Sequence, residues 1–191
     1  MTNQSTATND PLSQALELHR AGHFEATKGH FLDLLRNSAM HAAAWNQLGF
    51  LEHQDGNDAE SIGAFEKAIS TDPRFADAHF NPGNIFKIHA KPGQAVAAYR
   101  AYLALNQNDA EAHFHLANSL LSLGELEAAS VAFLDALRLD PSHIDTLTNL
   151  GYTLKSMGRH EAAAAHLRRA LDLNPNSAEC HKNYGTVLRN L

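Results

Sequence analysis

The sequence has one cysteine and no long run of apolar residues. Cys180 alone cannot form an internal disulfide, which is compatible with a reducing cytoplasm. No apolar run approaches the about 18 residues that a membrane-spanning helix needs. The first ten residues, MTNQSTATND, have neither the basic nor the apolar region of a secretory signal. We therefore expect a cytoplasmic chain without membrane insertion.

Basic and aromatic residues are also scarce. The chain of 191 residues has 15 Lys and Arg against 21 Asp and Glu, which gives a net charge of −6. A nucleic-acid-binding protein usually carries a basic face, so we expect no nucleic-acid partner. The hydrophobic content is 44% but the aromatic content only 7%, and alanine is abundant. This balance suits closely stacked helices.

No catalytic or metal-binding motif is present. The sequence has no G-x-S-x-G, glycine-rich phosphate loop, H-E-x-x-H or paired-cysteine motif. Among its 13 histidines, His113 and His115 are two residues apart and point to different sides of a helix. His19 and His23 are four apart, but Gly22 lies between them and no cysteine or carboxylate completes a set. The sequence predicts a non-enzymatic protein without cofactor or metal.

What the sequence does contain is a repeated pair of amphipathic helices. In the segment 110–143, apolar residues recur at helical spacing on each side of a turn at Gly124, and Pro141 ends the second helix. A step of 34 residues carries this pattern along the chain for five full periods. In the first helix the step falls on small residues, at which two helices must approach closely: Ala15, Gly49, Gly83, Ala117, Gly151 and Gly185. In the second helix it falls on large ones: Phe31, Phe65, Tyr99, Phe133 and Leu167.

These positions resemble the tetratricopeptide repeat of bacterial repeat proteins and of enzymes like O-linked N-acetylglucosamine transferase. The residues that carry the resemblance are Trp45, Leu48, Gly49, Ser61, Phe65, Ala68 and Pro73. The resemblance implies an all-α, right-handed α-solenoid of helix-turn-helix repeats of 34 residues. It also implies a scaffold that displays a surface to other proteins.

The predicted organisation is a tail followed by one solenoid. Residues 1–9 are polar and expected to be disordered. The solenoid then covers residues 10–191. Its predicted repeats are 8–41, 42–75, 76–109, 110–143 and 144–177, followed by a single final helix at 178–191.

The third repeat departs from the pattern at two positions. Pro82 stands where other repeats have leucine, and proline inside a helix removes a hydrogen bond and clashes with the preceding turn. We expect a local distortion at Asn81–Gly83, either as a kink or as a shortened helix that Asn81 caps. Tyr102 replaces the small residue of other repeats, and one hypothesis is that it fills space released at Pro82.

The resemblance places the first helix of each repeat along a concave groove. Side-chain amides there can bind the backbone of an extended peptide, and aromatic residues can anchor it. The lysine position of the family's carboxylate clamp holds Phe80 or Phe114, so we expect no recognition of an acidic C-terminal tail. The predicted groove residues are Asn46, Gln47, Phe50, Phe80, Asn81, Asn84, Lys87, Phe114, His115, Asn118, Asn149, Tyr152, Lys155, Lys182 and Asn183.

The last helix leaves two alternatives to a groove-binding scaffold open. Tyr184, Val187 and Leu188 could form an exposed edge for self-association, which would make the chain a self-assembling module and a homo-oligomer. The chain could instead be the non-catalytic N-terminal region of a larger bacterial transferase of the sulfotransferase or glycosyltransferase type. The main prediction is a scaffold that binds a partner protein or an extended peptide in the groove.

Overall fold

A computed structural model describes residues 11–37 and 41–191, and every regular element in these ranges is an α-helix. The predicted tail at 1–9 lies outside the described residues. The helices of the described ranges are α1 (Pro11–Arg20), α2 (Phe24–Asn37), α3 (Ala42–Gln54), α4 (Asp58–Thr71), α5 (Asp77–Ile88), α6 (Pro92–Leu105), α7 (Ala110–Ser122), α8 (Leu126–Leu139), α9 (Ile144–Ser156), α10 (His160–Leu173) and α11 (Ala178–Leu188). We call the odd-numbered helices first helices and the even-numbered ones second helices.

The described residues form two compact units. The N-terminal unit runs to Ile85 and the C-terminal unit begins at Phe86. Within each unit, helices that follow one another in the chain pack as antiparallel hairpins, as α3 does with α4, α7 with α8, and α9 with α10. The predicted all-α solenoid of helix-turn-helix repeats is confirmed. None of the described helices is both long and apolar enough to cross a lipid bilayer.

A left-handed residue turns the chain between the helices of a hairpin. Gly124 has φ +77° between α7 and α8. Glycine adopts this conformation without a steric cost because it has no Cβ. The turn between α5 and α6 uses Ala90 instead, at φ 51°. For alanine the left-handed region costs roughly 1–2 kcal/mol, so this turn carries strain that the others lack.

Small residues of the first helices let the two helices of a hairpin approach closely. A Cβ atom built on Gly49 would lie 2.7 Å from the Phe65 ring. A Cβ atom built on Gly151 would lie 2.5 Å from Cγ of Leu167. The large residues that pack here, Phe65 and Leu167, are themselves fully buried. The expected close approach at these small residues is therefore present, and the packing leaves no room for a side chain.

Pro82 lies inside a continuous helix. α5 runs through Asn81–Gly83 without interruption, so the predicted shortened helix capped by Asn81 is wrong. The difference lies at the beginning of α5, which starts at Asp77, whereas the neighbouring first helices start at the first residue of their repeats. There the backbone N–H groups of Ala78 and His79 bond to carbonyls only three residues back. Pro82 thus follows a tight first turn, and its own missing N–H removes one bond from the next turn.

Tyr102 closes a polar network within the C-terminal unit. Its side chain is largely buried, and its hydroxyl donates to Oδ2 of Asp109 at 2.6 Å while accepting from Nδ2 of Asn106 at 3.1 Å. Asp109 is the N-cap of α7, since its Oδ1 accepts from the Ala112 N–H. The tyrosine that replaces a small residue therefore connects the end of α6 to the beginning of α7.

We expect Tyr102→Phe to destabilise the protein by about 1–2 kcal/mol at pH 7, because it leaves a buried carboxylate with one hydrogen bond fewer. Burial acts to raise the pKa of Asp109, but hydrogen bonds from Tyr102 and from the Ala112 and Glu111 N–H groups outweigh it and lower the pKa below 3.8. A lowered folded-state pKa stabilises the fold above the ordinary value, and that stabilisation is lost as the pH falls through it. Urea unfolding should therefore show a smaller difference between wild type and Tyr102→Phe at pH 3 than at pH 7. Tyr152→Phe, at an exposed tyrosine, is the matched control. An equal cost for both variants would contradict this role of Tyr102.

A backbone carbonyl near the end of each of four repeats accepts a hydrogen bond from a side chain. Three of the donors are histidines at the position that Trp45 holds in the second repeat, and the fourth is an arginine on α10. The pairs are His79 Nε2–Pro73 O (3.0 Å), His113 Nε2–Gln107 O (3.0 Å), His181 Nε2–Pro175 O (2.8 Å) and Arg169 Nη2–Pro141 O (2.7 Å). A carbonyl oxygen cannot donate, so each of these histidines carries its proton on Nε2.

Candidate functional site

In the N-terminal unit, four of the predicted groove residues surround one cavity. The cavity has a volume of about 240 Å³ and is lined by Asn46, Gln47, Phe50, Asp77 and Asn81. Residues four apart on a helix share a face, which brings Asn46 together with Phe50 on α3 and Asp77 together with Asn81 on α5. α3 and α5 are joined across this face by a hydrogen bond of 3.0 Å from Asn81 Nδ2 to Asn46 Oδ1.

The residues around this cavity differ in how much they can offer a ligand. Asn46 is buried, so it orients Asn81 and does not itself present an amide at the surface. Phe50 is 38% exposed and is the apolar contact that the cavity provides. Asp77 was not among the predicted groove residues. Its spacing of four residues from Asn81 was the signal that could have identified it.

In the C-terminal unit, a second set of amides joins the first helices α7 and α9. Asn149 Nδ2 donates to Asn118 Oδ1 at 2.8 Å, and Asn118 Nδ2 donates to the Phe114 carbonyl at 2.9 Å. A third bond, from Lys155 Nζ to Asn183 Oδ1 at 3.2 Å, joins α9 to α11. Asn183 is buried, as Asn46 is in the N-terminal unit. A buried asparagine thus supports a more exposed polar residue in both units.

The aromatic residues predicted as anchors divide into exposed and packed ones. Tyr152 is 43% exposed, and the Lys155 ammonium lies 4.6 Å from the centre of its ring. Phe114 instead packs against the rings of Phe133 and His143, with centroid distances of 6.3 and 4.9 Å. Tyr152 can therefore contact a ligand, whereas Phe114 belongs to the packing between repeats.

His115 holds the lysine at the end of α5. Its Nδ1 lies 3.3 Å from Lys87 Nζ, its Nε2 lies 3.4 Å from a Glu111 carboxylate oxygen, and its ring stacks on Tyr99. Burial and the neighbouring Lys87 charge lower the pKa of His115 below its ordinary value of 6.5. A neutral imidazole with its proton on Nε2 accepts from the lysine and donates to the glutamate. His115 thus positions Lys87, which lines a cavity of about 340 Å³ together with Asn118 and Ser122.

The remaining predicted groove residues have no common surroundings. Phe80 and Asn84 are half-buried on α5 in the N-terminal unit. Lys182 is exposed on α11 in the C-terminal unit. Neither structural unit places these three beside the cavities described above.

The predicted self-association edge is only partly exposed. Val187 is fully buried, so its assignment to an exposed edge is wrong. It lies on the side of α11 that packs on α10, which covers it. Tyr184 is half-buried, and Leu188 is 51% exposed. The edge available to another molecule therefore consists of Leu188 and part of Tyr184.

The cysteine is part of the packing. Cys180 is fully buried, and its Sγ donates to the Leu167 carbonyl at 3.2 Å. Burial raises the pKa of this thiol above its ordinary value. A protonated, enclosed thiol is a poor nucleophile. Within the described residues, no cluster of histidine, cysteine, aspartate and glutamate side chains could hold a metal ion.

Stacked hairpins with polar and aromatic residues on their first helices define a helical repeat protein. A family model described as Tetratricopeptide repeat matches residues 12–86 and 89–144, and a second model of the same description matches residues 144–177. The chain belongs to the tetratricopeptide repeat family. The predicted family is thereby confirmed, and this family membership supports a protein-interaction scaffold.

Solved structures of the same fold cover most of the chain. YrrB, described as a tetratricopeptide repeat protein with an unusual peptide-binding site, has a TM-score of 0.80 and 24% identity over 90% of this chain and 89% of its own. MamA has a TM-score of 0.77 and 20% identity over 86% of this chain and 96% of its own. MamA from Desulfovibrio magneticus RS-1, from residue 41 to its end, has a TM-score of 0.76 and 20% identity over 90% and 99%. No curated protein sequence matches the chain.

Proposed function

We propose that this protein is a non-catalytic scaffold that binds an extended peptide segment of a partner protein on its first helices. The observation that carries the proposal is the cavity of the N-terminal unit, where a fixed pair of asparagines lies beside the exposed Phe50. The C-terminal unit has the same combination in the Asn149–Asn118 pair and the exposed Tyr152.

The amide pairs suit a peptide backbone. A side-chain amide has two N–H donors and two acceptor lone pairs, and the bond between two asparagines uses one donor and one lone pair. The groups that remain match the alternating N–H and C=O groups of an extended chain, whatever its side chains are. The bond also fixes the orientation of both amides before a ligand arrives, which reduces the entropy lost on binding.

The exposed aromatic rings would supply most of the binding energy. Aromatic side chains bury a large area with few rotatable bonds, and they dominate the energetics of many interfaces. The fold itself is compatible with such a role, because YrrB, which shares it, is described as having a peptide-binding site. A cytoplasmic location and the two alternative roles, as part of a transferase or as a self-assembling module, stay predictions.

The test is a peptide selection followed by substitutions on the two faces. Peptides selected from a displayed random library on the whole chain would be synthesised and titrated by fluorescence anisotropy. We expect Phe50→Ala or Tyr152→Ala to weaken binding about tenfold or more, since each removes an anchoring ring. Val131→Ala, at a 59% exposed residue of the second helix α8, is the matched control and should leave affinity within about twofold.

Two outcomes would contradict the proposal. One is a selection that yields no peptide with saturable binding. The other is a set of peptides whose affinity survives both aromatic substitutions and falls with Val131→Ala.

A further inference from the structure

The outer face of α11 is exposed at positions that other first helices keep covered. His181, Gly185 and Leu188 are exposed on α11. One repeat earlier, on α9, the same positions hold Leu147, Gly151 and Leu154, and all three are buried. Leu154 is 6% exposed whereas Leu188 is 51% exposed. The second helix α10 packs against α9, and the part of the chain that the structure describes has no helix at the corresponding place on α11.

The glycine on this face marks a vacant packing position. A Cβ atom on Gly151 would lie 2.5 Å from Leu167, because α10 places that leucine directly over the glycine. A Cβ atom on Gly185 would meet no atom within 4 Å. Gly185 therefore has the small surface that a close helix contact needs, and nothing in the described structure contacts it.

The opposite side of α11 is already used by the fold. Cys180 and Val187 are fully buried there, and α11 packs on both α10 and α9. The helix thus continues the stack of the C-terminal unit with one side, and its other side repeats the surface of α9 to which α10 binds. The packing of α10 on α9 consequently shows what kind of helix would fit.

We propose that this face, formed by His181, Gly185 and Leu188, binds an amphipathic helix of another protein. The helix would carry a large apolar residue to lie over Gly185, with a small residue four positions before it and another three positions after it. This is the spacing with which the second helices of the C-terminal unit bury their residues against first helices: Ala129, Phe133 and Ala136 in α8, and Ala163, Leu167 and Ala170 in α10.

A second copy of this chain does not offer such a helix. The large residues of its second helices are each buried in their own hairpins, as Phe133 and Leu167 are. Presenting one of them to α11 of a neighbour would require that hairpin to open, at a cost of several kcal/mol for each large side chain lost from the core. The occupant is therefore a separate polypeptide, and this surface is distinct from the one on which the peptide scaffold was proposed.

The direct test uses a synthetic peptide of the sequence 158–175, which contains α10, with a fluorescent label. Titration with the whole chain should give saturable anisotropy changes. Gly185→Gln places a side chain where the peptide leucine would lie, and we expect it to weaken binding about tenfold or more. Gly63→Gln is the matched control, because Gly63 is also helical and open, and it should leave the affinity unchanged. A peptide that carries aspartate in place of its central leucine should not bind.

A second measurement separates a weakly helical probe from a wrong surface. The segment 158–175 is joined after Leu191, in the register of the preceding repeat, and thermal unfolding is followed by circular dichroism. A higher Tm that Gly185→Gln removes, together with binding of the free peptide, supports the proposal.

Three results would overturn the proposal. The first is an unchanged Tm in the extended chain. The second is stabilisation of the extended chain without binding of the free peptide, which would assign the face to a helix of the same chain. The third is a wild-type dimer in light scattering that Gly185→Gln converts to a monomer, which would assign the face to a second copy.

Discussion

Gly151→Leu is expected to destabilise the C-terminal unit by about 3 kcal/mol or more. A Cβ atom alone would lie 2.5 Å from Cγ of Leu167, and the larger side chain adds atoms to a space that is already filled. Leu167 is fully buried between helices, so it has no open direction in which to move. The better helix propensity of leucine over glycine recovers only about 1 kcal/mol. Urea unfolding followed by circular dichroism measures the difference.

A matched glycine and a double substitution make this result specific. Gly63→Leu, in a helix with no atom within 4 Å of the added Cβ, should be neutral or slightly stabilising. Leu167→Ala should cost about 2–5 kcal/mol on its own, and Gly151→Leu combined with it should cost at least about 1 kcal/mol less than the sum. Additive effects would show that Gly151 does not work through Leu167.

Replacement of Phe133 by alanine has the second large expected effect, a loss of about 3–5 kcal/mol. The ring is fully buried in α8 and contacts Phe114 of α7, so its removal leaves a cavity between two helices. In a repeat protein each repeat contacts only its neighbours, so few contacts elsewhere can compensate. Chemical unfolding should show an earlier transition.

The residue next to Phe133 supplies the control. Leu134 has a similar apolar side chain on the same helix but is 49% exposed, so Leu134→Ala should cost less than about 1 kcal/mol. Similar losses for both variants would mean that the effect comes from helix propensity and not from packing.

The fold followed from the sequence because the repeat imposes one spacing on many positions. Glycine or alanine at the same place in each first helix, and a large residue at the same place in each second helix, both reflect one contact that recurs in each hairpin. Gly151 and Leu167 form that contact in the structure. A signal that recurs every 34 residues is stronger than any local propensity, and family and fold class could therefore be predicted together.

The candidate site was harder to predict, since exposure depends on neighbouring helices. Helical spacing places Asn46 and Asn183 on the first-helix face, yet both are buried, and Val187 is buried although it lies on the last helix. Pro82 was expected to interrupt its helix, but α5 accommodates it after a tight first turn. Each of these outcomes depends on contacts between helices, which single-residue preferences do not contain.

The hydrogen bonds to the carbonyls near the ends of the repeats suggest how such a sequence can diverge while its architecture is retained. The acceptor belongs to the main chain, so a residue of any type can stand there, as Gln107 does where other repeats have proline. The donor is equally replaceable: where Leu147 takes the histidine position, Arg169 reaches the Pro141 carbonyl from a different helix. Sequence drift at both ends of this contact is tolerated as long as one N–H group arrives from either direction. A search image built on particular side chains would overlook repeats that keep the bond and have exchanged both partners.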